Sequence, residues 1–322
     1  MISSDDFIKS KIKALEQDLS LCREKIARLR FARGYENDES TLFKLDKQIL
    51  KAEQTCDDLF GSMQKYNSLR LYGALQNLDY FEQVNAFRSF TERHRSGAFL
   101  IHGGEGYGQQ WLLKLLLQTI EHATTNLLIE FQANTRSRGL DYKFAWERLA
   151  KNVGLNLAAE GQVIQRLNDK LSARDVTLVF HSVGELSKAA LEQILENFWV
   201  PLATGIQVDP HKEPHYLLMF LVDYYGSTGD WDLKCAEKYD PEWVPQTLVK
   251  LPRLSSISYD DLKYWIRAQG RILPYAFIEQ AEQMADTIWV QSNDGGPEQI
   301  FELICMHCGY NWYEGAEWWL KL

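Results

Sequence analysis

Five short apolar runs, separated by stretches with helical periodicity, limit the fold of this chain more than any other feature. The runs lie at residues 98–101, 127–131, 176–180, 216–222 and 247–251. Because they are apolar almost throughout instead of alternating with polar residues, they are typical of strands buried on both faces. Strands that alternate with helices form a parallel sheet covered by those helices. The sequence therefore predicts an α/β domain with a parallel five-stranded sheet over residues 74–255.

Composition excludes several classes of protein. The chain has 322 residues, 45% hydrophobic and 25% charged, which allows about two folded domains and excludes fibrous or disordered classes. Its 35 Lys and Arg against 44 Asp and Glu give a net charge of −9, which offers no general attraction to nucleic acid or anionic membranes. No apolar stretch reaches about 18 residues. We therefore expect neither a nucleic-acid partner nor membrane association.

The cysteines indicate a reducing compartment. There are five of them, an odd number spread over a long chain, which differs from the dense pairing of a secreted disulfide framework. The first residues show no cationic segment followed by an apolar run, as a signal peptide would. We expect a cytoplasmic protein.

The N-terminal segment has the spacing of a coiled-coil seam. Apolar residues recur alternately at three and four positions over residues 8–29 and again over residues 42–59. The polar residues 33–38 interrupt the repeat and predict a turn. We therefore predict an antiparallel α-helical (coiled-coil) hairpin over residues 1–60, with Asp38 capping the second helix.

Two further boundaries follow from composition. Glycine, serine and asparagine occur repeatedly over residues 61–73, which predicts a linker between the hairpin and the α/β domain. Beyond residue 255 the strand-like runs stop, and helical patterns continue with a glycine-rich turn at residues 293–297. We predict a C-terminal helical lid over residues 256–322.

The first strand leads directly into a glycine-rich loop and then into a helix, which is the context of a phosphate loop. The pattern of such a loop (Walker A) is Gly, four residues, Gly, Lys, then Ser or Thr. The candidate loop consists of Gly103, Gly104, Gly106, Gly108, Gln109 and Gln110. Gly103 and Gly108 match the pattern, whereas Gln109 replaces the lysine and Gln110 replaces the hydroxyl residue. The cation and the Mg²⁺ ligand of an active site are therefore missing, while backbone N–H groups remain that can cradle an anion.

The position that holds an acidic metal ligand in active phosphate-loop enzymes is also altered. After the third apolar run the chain reads His181 and Ser182, and imidazole is a poor ligand for Mg²⁺. Asp223, after the fourth run, is either a sensor of the terminal phosphate or a residue that starts a turn. We therefore predict no NTP hydrolysis, no catalytic residues and no cofactor or bound metal.

Several short motifs in order resemble one family. The motifs lie at residues 78–83, 106–113, 251–255 and 295–297, with Trp265 on the helix between the last two. Together they are similar to the inactive STAND-type P-loop family of prokaryotic conflict and immune-signalling systems. The resemblance implies a strand order of 5-1-4-3-2, a helical lid and an N-terminal helical adaptor. It further implies a non-enzymatic scaffold or sensor that recruits a separate effector protein.

Other interpretations remain open. The protein is alternatively an ATP- or GTP-binding switch of the STAND type, or a sensor that binds another anionic ligand at the glycine loop. Cys305 and Cys308 are neighbours on one helical face and lack the second ligand pair of a structural zinc site. Phe31 and Phe43 lie off the seams of the hairpin, so we expect them to bind an effector or a second copy of the chain.

Overall fold

The structure is a computed structural model of the chain, and it describes residues 4–120, 126–132, 142–156, 159–206 and 215–313. The α-helices are α1 (Ser4–Tyr35), α2 (Glu39–Leu75), α3 (Phe81–Thr91), α4 (Gln109–Gln118), α5 (Tyr142–Asn152), α6 (Glu160–Leu171), α7 (Lys188–Ile194), α8 (Val200–Gly205), α9 (Tyr259–Ala268), α10 (Tyr275–Glu279), α11 (Ala281–Gln291) and α12 (Pro297–His307). The strands are β1 (Ser96–Ile101), β2 (Leu127–Gln132), β3 (Val176–His181), β4 (Leu217–Val222), β5 (Cys235–Ala236) and β6 (Leu248–Lys250).

Within the described residues the chain also forms three short helical turns. Two are 3₁₀ turns, Val183–Glu185 and Ser227–Asp230, and a π turn, Leu195–Trp199, joins α7 to α8. Within the described ranges no helix is both long enough and apolar enough to cross a lipid bilayer. The end of the predicted lid, from residue 314 onwards, lies outside the described residues.

The first two helices form the predicted antiparallel hairpin. The Asp38 side chain accepts a hydrogen bond from the backbone N–H of Thr41 at 2.8 Å, so the predicted cap of α2 is confirmed. The helices bury apolar side chains between them: Ile12, Leu19, Cys22, Ile49 and Ala52. An exposed ion pair between Arg30 and Glu53, at 2.6 Å, joins the helices and adds at most about 1 kcal/mol. The apolar seam therefore supplies most of the stability of the pair.

The predicted linker at residues 61–73 is wrong, because this segment is helical and belongs to α2. Its glycines and short polar residues each cost at most about 1 kcal/mol in a helix. That cost is offset where the helix ends, since Leu71, Tyr72 and Leu75 are each at most 1% exposed and pack into the core of the α/β domain. The composition of this segment shows its weak helix-forming residues, but it does not show the tertiary contacts whose stabilisation exceeds the cost of those residues.

The sheet is parallel, and its strand order is β2-β3-β4-β1-β6-β5. The five predicted runs correspond to β1, β2, β3, β4 and β6, and among these the expected 5-1-4-3-2 order is present. The predicted count of five is one too few. β5 has only two residues and pairs with β6 at the edge of the sheet. A strand of two residues inside a polar, acidic segment has no apolar run from which it could be predicted.

Helices cover both faces of the sheet, as predicted. The end of α2, α3, α4 and the C-terminal helices α9 to α12 lie on one face, and α5 to α8 lie on the other. β4 is buried along its whole length, which accounts for its unbroken apolar run. Because all strands run in the same direction, the segments that follow β1, β3 and β4 meet at one edge of the sheet, where open α/β sheets place their ligand sites.

Candidate functional site

The glycine loop, residues 103–108, joins the central strand β1 to α4. Gly106 and Gly108 have φ angles of +75° and +78°, a left-handed conformation that side chains disfavour. Gly108 is also the N-cap of α4, and a β-carbon there would collide with the hydroxyl group of Tyr80. The backbone therefore requires glycine at both positions, in agreement with the pattern that predicted a phosphate-loop turn.

Gln109, at the lysine position, points into the loop. Its side chain is 1% exposed, and its Nε2 donates to the carbonyl oxygen of Gly104 at 2.7 Å. Longer contacts of the same nitrogen reach the carbonyl oxygens of Gly103 at 3.4 Å and Tyr224 at 3.5 Å. The amide donors are thus used by carbonyl groups of the loop and of the segment after β4. Gln110 lies half-buried on the first turn of α4.

A carboxylate from the lid contacts the loop. Glu298, on the first turn of α12, accepts a hydrogen bond from the backbone N–H of Gly108. Its own backbone N–H donates to the carbonyl oxygen of Gly106 at 3.2 Å. Desolvation of the carboxyl group against the loop raises the pKa of Glu298, and the hydrogen bond from Gly108 partly opposes this. An amide at the start of α4, where a phosphate loop binds its anion, is therefore occupied by an anion of the protein itself.

Tyr80 closes the loop from another side. Its ring is fully buried, and its hydroxyl donates to the carbonyl oxygen of Tyr107 at 3.2 Å. Burial raises the pKa of Tyr80 well above its usual value, and the nearby Asp79 and Glu298 add to the rise. The phenol therefore stays protonated and acts as a hydrogen-bond donor. The motif at residues 78–83, which contributed to the predicted resemblance, supplies this contact.

At the altered acid position, His181 bridges two neighbours. Its Nδ1 lies 2.8 Å from the hydroxyl oxygen of Tyr224, and its Nε2 lies 3.1 Å from Oε1 of Glu130 on β2. Burial, together with the charges of Glu130 and Glu298, raises the pKa of Tyr224. Tyr224 therefore stays protonated and has a hydroxyl proton to share with Nδ1, while Nε2 faces the Glu130 carboxylate. Both ring nitrogens are thereby used.

The other two predicted site residues hold local backbone structure. Ser182 follows β3 with a left-handed φ of +57° and begins a short 3₁₀ turn. Asp223 is fully buried, and its carboxylate accepts backbone N–H groups from Tyr225 at 3.0 Å, Gly226 at 3.1 Å and Thr228 at 2.7 Å. The Thr228 hydroxyl donates to the same carboxylate at 2.8 Å. Of the two interpretations of Asp223, the geometry favours the turn.

Tyr224 connects the loop to His181, because its carbonyl oxygen lies 3.5 Å from Nε2 of Gln109 and its hydroxyl group contacts His181. The structure also shows three residues at the site to which the sequence assigned no role there. These are Tyr80, Tyr224 and Glu298. The Gly-Gly-Pro turn before α12 predicted a helix start, where an acidic residue is favourable, but gave no sign that Glu298 reaches the loop. The negative charge of Glu105 also raises the pKa of Glu298, so two acidic side chains lie near the loop. Such a surrounding repels a triphosphate.

Cys305 and Cys308, which the sequence offers as possible zinc ligands, lie at the end of α12. No three His, Cys, Asp or Glu side chains within the described residues are grouped as a metal site requires. Cys305 is fully buried, and Cys308 follows it as the C-cap of α12. Burial raises the pKa of both thiols, that of Cys308 to about 12. Their side chains therefore pack into the lid as neutral groups.

Comparison with known proteins gives a family for the central part of the chain. Residues 75–222 match the family described as inactive STAND, which confirms the predicted resemblance for this segment. Among solved structures the chain is similar to the ORC2 protein of Aeropyrum pernix in its ADP form, with 12% identity over 74% of this chain and 67% of that one, at a TM-score of 0.42. A search of curated proteins gives no match. The matched segment contains the glycine loop.

Proposed function

We propose that this protein is a non-enzymatic, cytoplasmic scaffold or sensor in a prokaryotic conflict or signalling system, and that it recruits an effector protein through the hairpin of α1 and α2. One observation carries the proposal. The glycine loop is closed from inside, by the amide of Gln109 and the carboxylate of Glu298. The match to an inactive STAND family supports the absence of hydrolysis.

Electrostatics explains why the closed loop disfavours nucleotide. A bound triphosphate would meet the Glu298 carboxylate at the N–H of Gly108, a backbone donor that an anion in the loop would use. At an effective dielectric of about 20, two like charges about 4 Å apart repel each other by roughly 4 kcal/mol. That repulsion equals the whole binding free energy of a ligand with a dissociation constant of about 1 mM. Replacing the lysine by Gln109 removes a charge-assisted contact of about 1.5–3 kcal/mol as well.

The hairpin is suited to recruitment because its far end is exposed and apolar. Phe31 and Phe43 are 68% and 71% exposed, and they lie close to the turn between α1 and α2. α2 enters the domain core at Leu71, so at 1.5 Å per residue the turn lies roughly 50 Å away along the helix axis. Exposed aromatic side chains are frequent anchors of protein interfaces.

The experiment replaces Phe31 and Phe43 together with Ser in the full-length protein. Because both rings are exposed, we expect the thermal transition to stay nearly unchanged. Association, with a second copy or with an effector encoded by a neighbouring gene, should weaken more than tenfold, since each buried aromatic anchor contributes about 2 kcal/mol or more. Analytical ultracentrifugation and titration of the labelled effector measure the two associations.

The matched control is the replacement of Phe7 and Phe60 with Ser. These residues are also exposed aromatics of the hairpin, at 52% and 43%, but they lie away from the turn. This variant should associate like the wild type. A large loss of stability after replacing Phe31 and Phe43, with association intact, would show that they are core residues and would remove the basis for recruitment at the turn.

The contact of Glu298 favours a second candidate function, that of a sensor for an anion at the glycine loop. A carboxylate already binds the N–H of Gly108, so a stronger anion has a site to compete for once the lid moves. If the protein is such a sensor, the wild type and Glu302→Gln, on the same helix, should bind pyrophosphate weakly by calorimetry, and the Glu298→Gln variant should bind it at least about tenfold more tightly, because the competing carboxylate is gone. Equal absence of binding in all three proteins would eliminate this candidate.

A further inference from the structure

Two thiols face each other inside the hairpin. Cys22 lies in the seam of α1 and is 9% exposed, and Cys56 lies half-buried on α2. The Cys22 thiol donates to the carbonyl oxygen of Ala52 at 3.2 Å, and the thiols of Cys22 and Cys56 share a hydrogen bond. Ala52 and Cys56 are one helical turn apart, so they lie on the same face of α2. Cys22 therefore sits against the stretch of α2 that carries Cys56.

We propose that Cys22 and Cys56 form a reversible disulfide, which fastens α1 to α2 when the protein meets an oxidised low-molecular-weight thiol such as glutathione disulfide. A disulfide needs Cα atoms within about 7 Å and side chains that point towards each other. Cys22 and Cys56 lie at facing seam positions of two packed helices, and the hydrogen bond between their thiols shows that the side chains already point towards each other. The proposal goes beyond recruitment and does not depend on it.

The reaction balances without any other reagent. The Cys56 thiolate attacks one sulfur of glutathione disulfide, which forms a mixed disulfide and releases one glutathione thiolate. The Cys22 sulfur, after losing its proton, then attacks the Cys56 sulfur, forms the protein disulfide and releases the second glutathione thiolate. The two thiolates take up the two protons that the cysteines lost. Two protein thiols are oxidised and one glutathione disulfide is reduced.

The order of the two steps follows from burial. Cys56 is half-buried and open to a reagent from solvent, whereas Cys22 is enclosed in the seam and bound to Ala52. Burial also raises the pKa of the Cys22 thiol, which keeps it protonated and unreactive until the mixed disulfide forms beside it. Cys56 is therefore the attacking residue and Cys22 the resolving one.

The reactivity of the other three cysteines can be compared with that of Cys56 in the same protein. Cys305 is fully buried and Cys308 half-buried, and burial raises both of their pKa values. Cys235 lies alone on the short edge strand β5. Thiols that remain protonated exchange slowly. Oxidation should therefore begin in the hairpin and leave the lid pair reduced.

The test uses the folded full-length protein, incubated with mixtures of reduced and oxidised glutathione. Free thiols are then blocked with a maleimide, and peptides prepared without reductant are analysed by mass spectrometry. We expect the peptide pair that joins Cys22 to Cys56 to dominate. Hydrogen exchange in α1 should slow by at least about tenfold on oxidation and recover on reduction, because the cross-link limits opening of the hairpin.

Two variants separate the steps. In Cys22→Ser the mixed disulfide cannot be resolved, so glutathione should accumulate on Cys56. In Cys56→Ser the buried Cys22 should stay unmodified while the protein is folded. The proposal is overturned if the Cys22–Cys56 link forms only in denaturant, or if Cys235, Cys305 or Cys308 react first.

Discussion

Glu298 makes the contact that closes the glycine loop from the side of the lid. Its carboxylate binds the N–H of Gly108, and its backbone N–H binds the carbonyl oxygen of Gly106. Sequence reasoning identified the two glycines and the missing lysine, because these belong to one local pattern. It did not identify Glu298, because this residue reaches the loop only through the packing of α12 against α4, which no local pattern encodes.

The raised pKa of Glu298 predicts a specific pH dependence of stability. The folded protein holds the proton of this carboxyl group more tightly than the unfolded chain, in which the pKa is near 4.5. The stabilisation from Glu298 is therefore complete below about pH 4.5 and is lost as the pH rises through the raised value. The stability of the wild type minus that of Glu298→Gln should decrease over this window and then become constant. Urea unfolding at a series of pH values measures it.

The Glu302→Gln variant serves as the control, because Glu302 accepts a hydrogen bond from the Tyr313 hydroxyl and belongs to the same helix. It reports the effect of removing a carboxylate that does not touch the loop. A difference between wild type and Glu298→Gln that stays flat from pH 4 to pH 8, or rises, would contradict the assigned desolvation of Glu298.

The close approach of Tyr80 to the loop predicts the effect of a substitution at Gly108. Gly108→Ala should lower the free energy of unfolding by about 2–3 kcal/mol, since the left-handed φ costs about 1 kcal/mol and the collision adds to it. Gly154→Ala is the matched control, because Gly154 has a φ of +88° with open space around it, and it should cost only about 1 kcal/mol. Chemical denaturation compares the two.

Removing the Tyr80 hydroxyl group tests whether its collision with the new β-carbon is the reason for the extra cost of Gly108→Ala. In a Tyr80→Phe background, the cost of Gly108→Ala should fall towards that of Gly154→Ala. If the two glycine substitutions cost the same in the wild type, Tyr80 does not enclose the loop in the way the structure describes.

At the scale of elements, the sequence predicted those that a periodic pattern specifies. The seam spacing predicted both hairpin helices, the polar turn between them predicted the Asp38 cap, and the apolar runs predicted the five longer strands. The order of those strands came from the family resemblance. The sequence did not predict strand β5, and it did not predict that residues 61–73 are helical. β5 is too short to have a period, and the end of α2 is fixed by burial of Leu71 and Leu75 rather than by its own composition. Patterns report local preference, and these two elements depend on tertiary contacts.

The continuity of α2 predicts where the hairpin can be removed. A protein that begins at residue 61 keeps Leu71, Tyr72 and Leu75, which are all buried in the core. It should therefore unfold cooperatively, like the full-length chain. A protein that begins at residue 76 loses all three side chains, at about 2–5 kcal/mol for each leucine alone. That loss is comparable to the total stability of a domain, about 5–15 kcal/mol, so this protein should aggregate or melt far lower.

Thermal unfolding and size-exclusion chromatography of both truncated proteins measure the outcome. The two proteins differ only by the end of α2, so each is the control for the other. Equal behaviour would show that α2 does not contribute to the domain core. Aggregation of both would show that the domain needs the hairpin itself.

In the whole molecule, the end of the hairpin and the glycine loop share one aromatic cluster. The Tyr72 ring on α2 lies 6.4 Å from the Trp111 ring on α4 and 6.0 Å from that of Trp312. Trp111 lies 5.6 Å from Phe301, which is on α12 with Glu298, and Phe301 lies 6.4 Å from Tyr80. The helix that projects the hairpin therefore packs on the two helices that enclose the loop, within a single core.

We propose that the closed glycine loop binds no nucleotide. The most direct measurement is calorimetric titration of Mg·ATP and Mg·GTP into the full-length protein, with a thermal shift at about 1 mM nucleotide as a second readout. Because Gln109 stands in place of the lysine and the Glu298 carboxylate already binds the N–H of Gly108, we predict no saturable heat and no shift beyond about 1 °C. A dissociation constant of about 100 μM or below, a shift of several degrees, or nucleotide that co-purifies with the protein would contradict the account.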